Sequence, residues 1–166
     1  MIIVSDTSPI TNLAAIGQLD LLRQLYSSVT IPKAVYDEMV SLDKVVPGTV
    51  EVQTLSWIKV QAIVDSQKVR EILESQDNID LGEAEAIILS LEIKADLLLM
   101  DERRGRTVAT NYGINITGLL GVLLQAKKQG LVSSIKPLID QLITNADFRV
   151  SPQLYVLVLK SAQEDN

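Results

Sequence analysis

The sequence predicts an α/β fold, a central and mainly parallel sheet with helices on both faces. Short continuous apolar runs at residues 1–5 and 96–100 have the character of strands buried on both sides. These runs alternate with stretches of helical periodicity rather than with hairpin turns. No internal repeat, low-complexity tract or linker breaks the alternation, so residues 1–166 read as one domain, long enough to bury a substantial core.

The first strand, residues 1–5, ends at Asp6. Ser8-Pro9 then offers a capping residue and a proline at the first helical position, and Ile10, Leu13, Ala14 and Ile16 mark a short helix that Gly17 ends. A second helix is expected at 20–25 and a short strand at 29–31. Pro32 opens a third helix that passes Glu38 and reaches Val40. Pro47-Gly48 marks a loop over 43–50. A strand at 58–60, a helix at 69–73 and a polar turn at 75–80 follow. Asp80 and Glu83 have the spacing of a capping box, opening a helix through Ile87, Ile88 and Leu91. The second strong strand, 96–100, stops at Asp101. The rest reads as a helix at 108–112, a strand at 114–116 and a helix at 119–128, capped by Thr117 with Gly130 past its end. Two last helices are expected at 134–143 and 152–161.

Composition narrows the chemistry. Hydrophobic residues make up 47% of the chain and aromatics 4%, so Leu, Ile, Val and Ala must carry the packing. No apolar run reaches the roughly 18 residues that cross a membrane. Residues 1–4 are too short, and lack the basic flank, for a secretory leader. The expectation is a soluble, cytoplasmic protein with no membrane partner. There is no cysteine and no histidine, which excludes disulfides, thiolate or imidazole metal sites, cysteine nucleophiles and Ser-His-Asp triads. Chemistry must run on carboxylates, hydroxyls, amides, Lys, Arg or Tyr, and any metal should be a hard ion such as Mg²⁺ or Mn²⁺. The formal charge of −6 opposes nucleic-acid binding globally. A local basic patch, a bound cation or a basic partner would reverse that locally.

Carboxylates at strand ends are the informative pattern. Asp6 and Asp101 each follow an apolar strand directly. In a parallel sheet, strand C-termini share the edge where ligands bind, so the two lie on one rim if their strands are neighbours. An aspartate after a strand can equally cap the next helix, but Ser8 already fills that role after Asp6. Glu38 and Glu85 border apolar helical faces and complete a cluster. Glu83 competes with Glu85; Glu85 is preferred because Glu83 has work in the capping box. Carboxylates packed on one rim repel one another and call for cations, and Mg²⁺ or Mn²⁺ there activates water against a phosphate. Arg103, Arg104 and Arg106 follow Asp101 and suit bidentate phosphate contact, the bland alternative being a charged surface loop. Thr7, Ser8 and Asn12 lie beside Asp6 and could orient it or a substrate.

Ile3-Val4-Ser5-Asp6-Thr7-Ser8, Glu38, Leu81-Gly82-Glu83-Ala84-Glu85-Ala86-Ile87 and Leu99-Met100-Asp101-Glu102-Arg103-Arg104-Gly105-Arg106 together resemble a PIN domain. The nearest resemblance is to VapC-like proteins with a GEAEAI signature. It covers about residues 1–130, through Thr117-Gly118 and the following helix; the helices of 131–166 are less distinctive. It implies a PIN-like three-layer α/β/α sandwich and Mg²⁺- or Mn²⁺-dependent cleavage of RNA by a metal-activated water. It also implies frequent homodimers and, in the toxin branch, a cognate antitoxin protein. By position Asp6, Glu38 and Asp101 match the family's acidic quartet. Glu85 falls where most members carry aspartate, with Glu83 as the alternate metal ligand. A competing reading is a catalytically silent PIN-like module that binds RNA or protein, favoured by the net charge and by Glu85. A phosphotransfer or receiver domain is weaker, because Asp6-Thr7-Ser8 lacks the second acid usual beside an aspartyl nucleophile.

Overall fold

The computed structural model describes residues 1–41 and 43–165; Leu42 and Asn166, which the one-domain reading includes, lie outside the described residues. One sheet holds β1 (Ile3–Ser5), β2 (Val29–Pro32), β3 (Ile58–Gln61), β4 (Leu97–Leu99) and β5 (Ile116–Thr117). Their order is β3-β2-β1-β4-β5, and every pairing is parallel. Around the sheet lie α1 (Thr7–Ala15), α2 (Asp20–Tyr26), α3 (Lys33–Met39), α4 (Thr49–Thr54), α5 (Ser66–Ser75), α6 (Leu81–Glu92), α7 (Arg103–Asn111), α8 (Leu119–Lys128), α9 (Lys136–Asn145) and α10 (Pro152–Ser161).

Alternation along the strands creates the three layers. Ile3 and Leu99 face one core, which also holds Ile10, Leu22, Leu123 and Ile139. Val4, Leu98 and Met100 face the other, with Ile72, Ile87 and Val108. Successive strand residues point to opposite faces, so each apolar strand serves both cores at once. The result is the expected α/β/α sandwich.

Topology decides where a site can form. The chain builds outward from β1 through β2 to β3, then returns to place β4 and β5 on the other side. The order therefore reverses between β1 and β4, where Ile3, Val4 and Ser5 pair with Leu97, Leu98 and Leu99. Helices leave in opposite directions at such a point and open a crevice at the C-terminal edge of the strands.

Several element boundaries differ from the expectation. Helix α1 starts at Thr7, with Asp6 in the N-cap position, so Ser8 is not the cap and Pro9 falls within the first turn. The backbone N–H that proline lacks there would have had no partner in the helix. Helix α4 replaces the end of the expected loop, although its Thr- and Val-rich sequence is a poor helix former; its buried Val52 supplies tertiary packing. Helix α7 starts at Arg103, five residues early, because Gly105 is a packing residue inside it. A Cβ there would come within 2.5 Å of Met100 Sδ. Strand β5 lies at Ile116–Thr117 rather than 114–116.

The C-terminal tail is pinned. Glu164 accepts hydrogen bonds from Ser134 Oγ, from the backbone N–H groups of Ile135 and Lys136, and from Lys127 Nζ. Burial alone would raise its carboxyl, but these donors outweigh burial and hold it at about 2.

Candidate active site

The crevice between β1 and β4 is one cleft with two lobes that share Ser8, Asn12, Glu102 and Asp147. The first lobe, about 1070 Å³, is acidic: among the described residues Asp6, Glu38, Asp80, Glu83, Glu102 and Asp147 line it against one cation, Lys44. In the second, about 1160 Å³, Asp101, Glu102 and Asp147 are matched by Arg103, Arg106 and Arg149.

Asp6 follows β1 directly, and its backbone N–H donates to Leu99 O at 3.0 Å, locking it beside β4. Its side chain is only 6% exposed and makes no cap bond to helix α1. Asp101 lies just past β4. Its Oδ1 accepts the Leu119 N–H at 2.8 Å, so the N-terminus of α8 points at the carboxylate. Its Oδ2 is buried with no hydrogen-bond partner. This approach requires glycine at 118, where a Cβ would come within 2.5 Å of Asp101 Oδ1 and 2.7 Å of Arg106 Nη1.

Glu38, exposed near the end of α3, accepts the Thr7 hydroxyl at 2.8 Å. The expected capping box is present: Asp80 Oδ1 accepts the Glu83 N–H at 2.8 Å, and Glu83 Oε2 accepts the Asp80 N–H at 2.7 Å. That role does not remove Glu83 from the cleft, because the cap occupies only one of its oxygens.

Glu85 stands apart from the cleft. It is not among the residues lining either lobe. Its Oε1 accepts the Ala34 N–H at 3.0 Å, satisfying an amide at the start of α3. Of the two glutamates, Glu83 is the one that lines the acidic lobe with Asp6. Arg104 is likewise turned away, donating to Gln76 Oε1 at 2.8 Å, whereas Arg103 and Arg106 line the second lobe. Arg106 also donates to Met100 O at 3.2 Å. Thr7, Ser8 and Asn12 line the cleft. Asp80, Phe148 and Arg149 were missed. Asp80 already had a sufficient local explanation as a cap, and residues 148 and 149 reach the cleft only through tertiary folding.

Crowding is visible in proton affinity. Burial pushes the Asp6 carboxyl up to about 7; the Thr7 amide opposes this, and negative charge on Asp80, Glu38 and Asp101 adds to it. Glu83 is pushed up to about 8, chiefly by burial, with Asp80 and Asp6 contributing. Asp101 is also raised by burial, against the pull of the Leu119 amide and the Arg106 charge. Among the described residues no three carboxylates stand ready in a metal-ligating arrangement. The donor set nonetheless fits a hard divalent cation: every donor is oxygen, two carboxyls are pushed up by burial and by neighbouring acids, and one buried oxygen has no partner.

A parallel α/β sandwich with an acidic crevice at its switch point defines a class of carboxylate-centred sites. The chain belongs to the PIN-domain family: residues 2–164 match the family model DUF3368, a PIN domain, so the match includes the C-terminal helices. PIN domains are generally nucleases and usually use divalent metal ions. Among solved structures the chain is similar to a PilT N-terminus domain protein, SSO1118, from the hyperthermophilic archaeon Sulfolobus solfataricus P2. The TM-score is 0.57 at 16% identity, over 76% of this chain and 93% of that one, a likeness of fold. No curated protein matches the sequence significantly. No helix among the described residues is long and apolar enough to cross a membrane.

Proposed function

We propose that this chain is an endoribonuclease dependent on Mg²⁺ or Mn²⁺, with Asp6, Asp101, Glu38 and Glu83 as the residues that would hold the cation. One observation carries the reading: Asp6 and Asp101 end neighbouring parallel strands in a crevice whose carboxyls are desolvated and mutually repelled. When bound, a divalent ion supplies a water acidic enough to attack phosphorus at neutral pH, and positive charge against the phosphate oxygens. The chain's own part is orientation. Leu119 N–H fixes one Asp101 oxygen and leaves the other free, and Thr7 Oγ1 fixes Glu38. Arg103 and Arg106, on the first two turns of α7, face the lobe next to the acids, where guanidinium groups suit flanking phosphates. The family resemblance extends the proposal to a homodimer and to a toxin held by a cognate antitoxin.

Purified protein, incubated with a mixed RNA pool with and without Mn²⁺, should cleave only with the metal, and Asp6→Asn should not cleave. Equal cleavage by Asp6→Asn would place the chemistry elsewhere. A catalytically silent module that binds RNA or protein is the second reading, favoured by the net negative charge and by Glu85, which stands where the resemblance implies aspartate and instead accepts the Ala34 N–H. Absence of saturable, Asp6-dependent Mn²⁺ binding would select it.

A further inference from the structure

The second lobe has a wall that the acidic chemistry does not use, made by the turn between α9 and α10. Phe148 is the chain's one phenylalanine, in a sequence with 4% aromatic residues. It is half-buried, packs against the core beneath, and lines the cleft with its remaining surface. Arg149 beside it is exposed and lines the same lobe. Among the described residues none of Arg103, Arg106 and Arg149 pairs with a carboxylate at salt-bridge distance. Three guanidinium groups without a salt bridge, of which Arg106 also donates to Met100 O, and a supported aromatic ring thus share a lobe that adjoins the acidic one.

We infer that Phe148 and Arg149 form a nucleotide subsite beside the acids, an unpaired base stacking on the Phe148 ring while Arg149, Arg103 and Arg106 hold phosphates on one side of the cleaved bond. This rests on the nuclease reading above. A ring set in a cleft wall accepts a splayed-out base, whereas bases in a duplex are stacked and cannot reach it. Guanidinium groups along the same wall track the backbone without reading sequence. The chain's surplus of negative charge is no obstacle here, because the acids and arginines of this lobe balance.

Binding of a fluorescein-labelled, unstructured pyrimidine 12-mer RNA and of its blunt duplex should be followed by anisotropy at several salt concentrations. The protein should carry Asp6→Asn, with Mg²⁺ present. Phe148→Leu keeps an apolar side chain on the core and should weaken single-strand binding about tenfold, while Phe148→Tyr restores it. Arg149→Gln, at an exposed position, should weaken binding and lower the slope of log affinity against log salt by about 0.7. Duplex should bind more weakly and ignore Phe148→Leu. If the Asp6→Asn protein binds RNA but neither substitution changes affinity or slope, the inference is overturned and the nuclease reading survives. Duplex binding as tight as single-strand binding also overturns it. If neither the Asp6→Asn protein nor wild type in chelator binds RNA, the inference is overturned, and the nuclease reading is decided separately by the Mn²⁺-dependent cleavage of wild type.

Discussion

The two lobes of the cleft lie side by side, share four lining residues and differ in charge. One sets Asp6, Glu38, Asp80 and Glu83 against Lys44; the other matches its acids with Arg103, Arg106 and Arg149. In the acidic lobe, burial first and neighbouring carboxylates second push the Asp6 and Glu83 carboxyls up, against the pull of the Thr7 and Asp80 amides. In the arginine lobe, Asp101 has both a helix N-terminus and Arg106 opposing the effect of its burial. The net charge of −6 therefore describes neither lobe. A chain acidic overall can still offer phosphate-binding groups where the fold gathers them, next to acids that only a cation would quiet.

The largest test of this division separates Glu83 from Glu85. Glu83→Gln should lower metal-dependent cleavage about a hundredfold, the scale of losing one group that stabilises transition-state charge. Glu85→Gln should leave the cleavage rate near wild type and cost about 1 kcal/mol in urea unfolding, because it weakens only the bond to the Ala34 amide. Reversed results would return Glu85 to the site.

A second test uses stability. Asp6 takes up its proton more readily folded than unfolded, so the metal-free native state binds more protons between about pH 4 and pH 7. Its stability should therefore fall as pH rises through that window, where the unfolded chain has ionised and the folded one resists doing so. Asp6→Asn removes the penalty. At pH 8 in chelator it should be more stable than wild type by on the order of 2 kcal/mol, several degrees in Tm. At pH 4 the difference should vanish. A wild-type Tm that rises steadily from pH 4 to pH 8 would contradict the burial of an uncompensated carboxylate.

The smallest effect expected lies in the arginine lobe. Arg106→Ala should raise KM for RNA about tenfold, and Arg104→Ala should change it little because Arg104 reaches Gln76 instead. Equal effects would mean that general charge, rather than placement, matters.

The sheet and its rim were legible in the sequence because the signals are local. Residues 1–5 and 96–100 are apolar runs that an acid ends abruptly, and their pairing as neighbours brings Asp6 and Asp101 together. The choice between Glu83 and Glu85 was not legible by the same reasoning. The two residues differ by about 200° around a helix, so only one can face the cleft. Preferring Glu85 because Glu83 serves the capping box gave too little weight to the second oxygen of a carboxylate, since the cap engages only one. Asp80 was hidden by the same motif. The start of α7 was missed because Arg-Arg-Gly-Arg reads as a loop when the glycine's task is contact with Met100. Phe148 and Arg149 lie far along the chain from every motif, and no periodicity places them beside α7.

The central claim is that Asp6, Glu38 and Glu83 of the acidic lobe, with Asp101 of the adjoining one, are built to hold a divalent cation. Calorimetric titration of Mn²⁺ into metal-free protein at pH 7, in two buffers of different ionisation enthalpy, tests it most directly. The account predicts saturable binding with net proton release from the carboxyls of Asp6 and Glu83, weakened strongly by Asp6→Asn. Binding that is absent, or indifferent to Asp6→Asn, would contradict it.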